Sequence, residues 1–251
     1  MGNPPENERT ERISGHLRYL KLSRMEEIFV ELAQKAERED LPYLGYLESL
    51  TAEEVVARFN RSVQLRLKSA KLPSLKTLDE FDFHFPRKID KQRVLSLFDM
   101  QFVKEQTNVI FIGPTGTGKT HLALSLAYAA CQKAVPTLFT TGIALVNELT
   151  AAISDASFLR CLDRFTRPRL LVIDELGYLP IDRQGADLLF QVISARYERG
   201  SIVLTTNLPF KEWAKIFDND NTVTTAVLDR LLHHAEVIKI DGPSYRQRGK
   251  Q

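Results

Sequence analysis

Cysteine is nearly absent. The 251 residues include Cys131 and Cys161 and no others. Two isolated cysteines make neither a disulfide framework nor a metal quartet, so the expectation is two reduced, buried thiols and no structural zinc site. Long apolar runs are also missing. The uncharged stretch from Val109 to Gly118 is too short and too glycine-rich to span a bilayer. No basic-then-apolar leader opens the chain, so no secretory signal is expected and the expected location is the cytoplasm, without membrane partners. Excess charge is lacking as well: the net value is +2. What is present is ordinary for a folded protein. With 43% hydrophobic and 26% charged residues, disorder and collagen-like repeats are excluded. The length predicts one or two domains.

Near-neutrality conceals a local asymmetry. Between Arg58 and Lys76 lie Arg58, Arg61, Arg66, Lys68, Lys71 and Lys76, with no acid among them. The C-terminal end adds Arg246, Arg248 and Lys250. Such runs suit either an anionic partner at a defined place or a solvated helix face.

Residues 1–10 are polar, contain Pro4 and Pro5, and read as disordered. Helical spacing then begins at Ile13, Leu17 and Leu20. Ser23 with Glu26, and Thr51 with Glu54, read as capping boxes, in which each side chain satisfies a free N–H of the first turn. Pro42 suits the start of a short helix between them. Residues 11–71 therefore read as a small all-helical domain and 72–80 as a linker. A further helix is expected from Ile89 to Lys104. Beyond it, the apolar runs Val109–Ile112, Thr137–Phe139, Leu170–Ile173, Ile202–Leu204 and Val237–Ile240 alternate with helices near 119–133, 143–153, 184–199, 209–217 and 225–234. That alternation predicts an α/β fold with a parallel five-stranded sheet in residues 81–251.

The strongest motif is Gly113-Pro114-Thr115-Gly116-Thr117-Gly118-Lys119-Thr120. It fits the Walker A pattern, with a strand before it and a helix after it. Its glycines let backbone N–H groups turn toward phosphates, and the helix N-terminus adds a positive dipole. Lys119 is expected to reach the β- and γ-phosphates of ATP, and the Thr120 hydroxyl to hold Mg2+. Next, Leu170-Leu171-Val172-Ile173 is an apolar strand ending in Asp174-Glu175. Asp174 is the expected metal-shell residue and Glu175 the general base toward water. A third strand ends at Asn207, which either senses the γ-phosphate and its water or caps the helix beginning near Pro209. Arg230 either serves as an arginine finger toward a neighbouring subunit or forms a surface ion pair with Asp229 or Glu236. His233 and His234 are adjacent, so on a helix they point about 100° apart, and a surface or interface role fits them better than a metal one.

These segments, together with Ile173-Asp174-Glu175-Leu176-Gly177-Tyr178, Ser194-Ala195-Arg196-Tyr197-Glu198, Thr205-Thr206-Asn207-Leu208-Pro209-Phe210, Asp229-Arg230-Leu231-Leu232-His233 and Ser244-Tyr245-Arg246, resemble the IstB-type ATPases of insertion sequences. Those proteins are related to DnaC-type helicase loaders within the AAA+ class. The likeness runs from about residue 12 to 248. It implies a AAA+ core behind the helical domain, a homo-oligomer (ring or spiral filament) on double-stranded DNA, and delivery of a remodelled target site to a transposase. It also makes Arg230 the finger and Arg246 a second nucleotide sensor. The stretch after Asn207 is too short for the usual helical lid, so the lid should be reduced or absent. Phe81 and Phe83 lie where related proteins touch adenine, and both also suit an aromatic core. A replicative helicase loader is the alternative reading. A small-metabolite kinase explains neither Glu175, Asn207 nor the helical N-terminal region.

Overall fold

Strands apolar on both faces are stable only when both faces are covered, and the five apolar runs meet that condition by pairing with one another. In the computed structural model, which describes residues 6–247, they form β1 (Asn108–Ile112), β2 (Thr137–Thr141), β3 (Leu170–Leu176), β4 (Ser201–Thr206) and β5 (Ala235–Lys239). All four pairings are parallel, in the order β2-β3-β4-β1-β5.

The helices in this region are α4 (Lys91–Ser96), α5 (Gln101–Lys104), α6 (Lys119–Gln132), α7 (Gly142–Ser154), α8 (Phe158–Thr166), α9 (Arg183–Arg196) and α10 (Asn221–Leu232). From β1 the chain crosses through α6 out to β2, then returns through β3 and β4 and passes β1 to reach β5. Right-handed crossovers in opposite directions put helices on opposite faces. Two cores result, and alternate strand residues feed them. Val109, Phe111, Val172 and Val203 pack with Leu122 and Leu126 of α6. Ile110, Leu171, Ile173 and Leu204 pack with Leu149, Leu189 and Leu231 of α7, α9 and α10. This is the expected α/β sheet. Among the described residues, β5 is followed only by a 3-10 turn, Tyr245–Gln247, and by no helical bundle.

The chain divides into two units, Met1–Leu65 and Arg66–Gln251. The first is built from α1 (Glu6–Tyr19), α2 (Ser23–Arg38) and most of α3 (Tyr43–Ala70). Its small core gathers Leu17, Met25, Ile28, Phe29 and Leu50.

Several expectations change. Of the span 1–10 expected to be disordered, residues 1–5 lie outside the described residues and 6–10 are the first part of α1; Glu6 and Glu8 there favour a helix N-terminus. Neither capping box forms. Glu26 instead pairs with Arg18 and accepts from Ser14. Thr51 lies inside α3, its hydroxyl donating back to Leu47 and Glu48, so the two helices expected there are one. Glu54 caps a different helix: its carboxylate accepts the N–H groups of Arg24 and Met25 at 2.8 and 3.1 Å, at the start of α2.

The expected helix over 89–104 is broken at Met100, which adopts a left-handed backbone (φ 65°). Asp90 starts its first piece by accepting from the Arg93 N–H. The segment near 209–217 is a 3-10 helix, Phe210–Ile216. Helix α10 begins four residues early, because Asp220 accepts from the N–H groups of Thr222 and Val223. Helix α8 was not expected at all. Among the described residues, no helix is long and apolar enough to cross a membrane.

Candidate nucleotide site

The C-terminal ends of β1, β3 and β4 are neighbours, so the residues that follow them converge at one edge. Ligands of open parallel sheets bind at that edge. Residues 113–118 connect β1 to α6, and the Gly113 N–H donates to Thr206 O at the end of β4. Gly116 and Gly118 have φ of 81° and 94°, where side chains are strained. A Cβ on Gly116 would collide with Ser244, and one on Gly118 with the Phe81 ring. The Tyr245 N–H donates to Gly116 O at 2.8 Å, fastening the loop to the segment after β5.

Lys119 opens α6 and folds back over the loop. Its ammonium donates to Gly113 O and Pro114 O at 2.8 and 2.7 Å. Burial pushes its pKa down to about 8; Asp174 and Glu175 pull it back up, while Arg246 adds to the lowering. The hydrogen-bond partners of the ammonium are both carbonyl oxygens, with the Asp174 and Glu175 charges nearby, beside the place where a phosphate would meet it.

Thr120 donates to Asp174 Oδ1 at 3.0 Å. Asp174 is buried, and the same oxygen accepts from Thr205 Oγ1 at 2.5 Å. Thr205 in turn accepts the Glu175 N–H at 2.9 Å. Glu175 has φ 58°, at a register irregularity between Ile173 and Leu176, and its side chain is exposed. The strand was expected to end at the carboxylates; it runs on to Leu176, and Glu175 stands out as a bulge. Left-handed backbone at a non-glycine residue costs on the order of 1 kcal/mol and clusters at functional sites.

Asn207 follows β4. It does not cap the next helix, whose N-cap is Pro209. Its Oδ1 is buried and has no hydrogen-bond partner. Such an atom is costly unless something completes it.

Beside the loop lies a cleft of about 270 Å³ lined by Phe81, Phe85, Gly116–His121, Tyr178, Tyr245 and Arg246. Phe81 and Phe85 line it, and Phe83 does not. Phe83 packs edge-on to Phe81 at 4.8 Å, with Lys91 over its face at 5.3 Å. Phe85 meets Tyr245 edge-on at 4.8 Å. Tyr178 reaches over the loop, its hydroxyl 3.2 Å from Thr115 Oγ1.

Arg230 lies elsewhere. It shares a shallow pocket with Asn108, Ile202, Tyr197, Glu198 and His234. Asn108 and Ile202 stand where β1 and β4 begin, so this is the opposite edge of the sheet. Its guanidinium donates to Ala226 O at 3.1 Å and lies 4.6 Å over the Phe190 ring. No ion pair with Asp229 or Glu236 forms among the described contacts; Glu236 pairs with Arg93. Of the expected thiols, Cys131 is buried and Cys161 half-buried. Arg248 and Lys250 lie outside the described residues.

Sequence reasoning missed Thr205, Phe85 and the placement of Tyr178 and Tyr245. The first is one threonine in an ordinary strand ending. The others reach the cleft only through long-range packing.

The residues present fit a nucleotide with its metal: a glycine cradle, a lysine hydrogen-bonded only to loop carbonyls among the described contacts, a hydroxyl and a carboxylate sharing one spot, and an orphan amide oxygen. The sheet order and this cleft define a P-loop nucleotide-binding protein with a AAA+ core. Comparison with known proteins places it further. The profile of the family "IstB-like ATP binding protein" matches residues 15–251, and the chain belongs to that family. A relative from Geobacillus stearothermophilus, named as an ATP-binding protein of insertion sequence IS5376, is 40% identical over 241 residues, 96% of each chain. The Pseudomonas aeruginosa relative named for insertion sequence IS21 is 38% identical over 232 residues, 92% of this chain and 87% of its own. Among solved structures, DnaI aligns with a TM-score of 0.56 at 20% identity, over 66% of this chain and 90% of that one. The DnaC helicase loader aligns at 0.53 and 20%, over 66% and 96%. At that identity the two structures speak for the fold.

Proposed function

We propose that the protein is an ATP hydrolase of an insertion sequence, which assembles on double-stranded DNA in the cytoplasm and delivers a remodelled target site to a transposase. The observation that carries the hydrolase reading is the cluster of Lys119, Thr120, Asp174, Glu175 and Asn207 on three adjacent strand ends. The names of the relatives, insertion-sequence ATP-binding proteins, support the setting.

Gly113, Pro114, Thr115, Gly116, Thr117 and Gly118 cradle the phosphates of ATP, and Lys119 leaves its carbonyl partners for the β- and γ-oxygens. Thr120 and Asp174 would hold Mg2+, which supplies charge neutralisation to the phosphates when bound. Glu175 takes the proton of the attacking water, and Asn207 Oδ1 orients that water. Arg246, in the cleft, answers the phosphate charge, and Phe81 is better placed for the base than Phe83. Arg230, at the far edge of its own sheet, serves a neighbouring subunit's nucleotide.

The test is phosphate release with and without duplex DNA. Wild-type protein should turn over ATP, and Glu175→Gln should bind ATP without turnover. Arg230→Ala and Lys119→Ala should each be nearly inactive, since a finger supplies about 10³–10⁵ in rate. Mixed, they should regain activity: one contributes an intact pocket and the other an intact finger. No recovery despite verified co-assembly would defeat the trans assignment. Absence of duplex DNA binding in every nucleotide state would favour the helicase-loader reading.

A further inference from the structure

Two turns at the edge of the sheet away from the nucleotide cleft bring together three side chains of types that can ligate a metal. Glu198 lies in the turn between α9 and β4, and His233 and His234 lie in the turn between α10 and β5. The expectation for adjacent histidines held for a helix. Here α10 ends at Leu232, and both imidazoles fall to the same side, their ring centroids 4.2 Å apart. One ring nitrogen from each and a carboxylate oxygen of Glu198 all lie within 4.8 Å of one another. His234 Nε2 is 3.8 Å from Glu198 Oε1. The Tyr197 hydroxyl is 2.8 Å from His233 Nδ1 and orients that ring.

We propose that Glu198, His233 and His234 form a binding site for a divalent transition metal, Zn2+ being the ion whose preferences they match. Two imidazoles and one carboxylate are a known zinc ligand set, with water completing the tetrahedron. Mg2+ is a poor occupant, because it favours oxygen donors and imidazole suits the later transition metals. The site therefore differs in chemistry from the magnesium position assigned to Thr120 and Asp174. Bonds of about 2.0–2.1 Å require the three ligand atoms to close to roughly 3.4 Å of one another. All three side chains are exposed, so rotation about their own bonds can achieve this without disturbing the core. The Tyr197 contact is the kind of outer partner that fixes a ligating imidazole. The charges around the site oppose one another: Asp229 favours a cation, and Arg230, which shares the shallow pocket with Glu198 and His234, disfavours one.

The position has a structural consequence. A metal here ties the turn after α9 to the turn after α10, three residues beyond Arg230. Occupancy would stiffen the end of the helix that carries that guanidinium.

The experiment is calorimetric titration of metal-free full-length protein with Zn2+, with excess Mg2+ present to occupy oxygen-only positions. One equivalent per chain should bind. Glu198→Gln and His234→Ala should each weaken binding at least about 10-fold, and Tyr197→Phe by about 10-fold. Circular dichroism and nucleotide binding should be unchanged, which separates ligand loss from misfolding. X-ray absorption on the zinc-loaded wild type gives a readout free of variants and should show imidazole scattering with nitrogen and oxygen neighbours. Equal affinity in wild type and in the His233→Ala, His234→Ala double variant would overturn the proposal. So would a sulfur neighbour, which would put the ion on Cys131 or Cys161, or the lack of any stoichiometric binding. None of these outcomes depends on ATP turnover.

Discussion

Lys119 is the residue whose state governs the cleft. Its pKa lies near 8 because burial disfavours the ammonium more than Asp174 and Glu175 favour it. Only the ammonium can meet phosphate, so the binding-competent fraction of free protein falls as pH rises through 8. At pH 9 that fraction is about one tenth, and the apparent ATP dissociation constant should be about 10-fold weaker than at pH 7. Stability should move the other way. Between about 8 and the unperturbed value of 10.5 the unfolded chain binds more protons at this lysine than the folded one. The nucleotide-free protein therefore gains stability from this group as pH rises through that window. Fluorescent-nucleotide titration at the two pH values checks the first claim, and an ATP affinity independent of pH would remove it. Thr205 makes a second test. Its hydroxyl links the buried Asp174 carboxylate to the N–H of bulged Glu175. Thr205→Val keeps the shape and loses both bonds, and a hydrogen bond to a charged group is worth about 1.5–3 kcal/mol. Turnover should fall about 10- to 100-fold with ATP affinity little changed, and Thr205→Ser should restore most of it. Equal turnover in the valine variant would make the link incidental. The Walker motifs were legible because their backbone demands glycine and their chemistry demands fixed residue types. Thr205 was not, since its role exists only once β3 and β4 lie side by side.

At the level of elements, the sheet was readable and the caps were not. Five apolar runs had one physical solution, a parallel sheet covered on both faces, and their alternation with helices gave the crossovers. The N-terminal helices show where such reasoning ends. Both capping boxes satisfied a local pattern, but their glutamates went to longer-range partners, and Thr51 turned back to carbonyls of its own helix. Glu54 is the clearest case: it sits inside α3 and caps the start of α2. Burial would push this carboxyl up, but Arg58 at 2.9 Å and the two backbone N–H groups more than offset that, and its pKa is lowered. Its contribution is thus complete above the ordinary value of 4.5 and fades as pH falls through the lower folded value. Glu54→Ala would leave two N–H donors and the Arg58 guanidinium without this acceptor. Opening of the first turn of α2 should become easier by about 1–3 kcal/mol, read as roughly 5- to 150-fold faster amide exchange at Arg24 and Met25. Glu54→Gln should fall between. Unchanged exchange at those two amides would show that water replaces the carboxylate at no cost. Arg196 teaches the same lesson. It is a fully buried side chain whose guanidinium donates to Phe165, Thr166, Pro168, Arg169 and Ser201 carbonyls. The sequence showed it only as part of a motif, because five carbonyls from the end of α8, the loop after it and the start of β4 leave no local signature.

For the whole molecule, the question is where DNA would lie, and the structure narrows the basic run. Arg58 is spent on Glu54 and on Lys21 O. Arg66 donates to Cys131 O, and Lys76 lies 3.9 Å from Glu80. Exposed Arg61, Lys68 and Lys71 are the better candidates for phosphate contacts. Phosphate contacts position a protein without specifying sequence, so two unrelated duplexes should bind with similar affinity. Sites that bend easily should still be favoured, since deformation has a sequence-dependent cost. Each neutralised phosphate adds about −0.9 to the slope of log affinity against log salt. Replacing Arg61, Lys68 and Lys71 with alanine should therefore weaken both duplexes equally and flatten that slope by up to about 2.7 per engaged subunit. Arg66→Ala alone should act differently. It removes a contact to Cys131 O within the Arg66–Gln251 unit, so any loss of DNA binding should come with a loss of stability. ATP should strengthen wild-type binding by aligning subunits along the duplex, and the triple variant should keep that response at lower affinity. Salt-titrated binding to both duplexes, with and without ATP, measures all of these together. An unaltered slope in the triple variant would move the DNA surface to the loops of the nucleotide-binding unit, and the basic run would then be a solvated helix face.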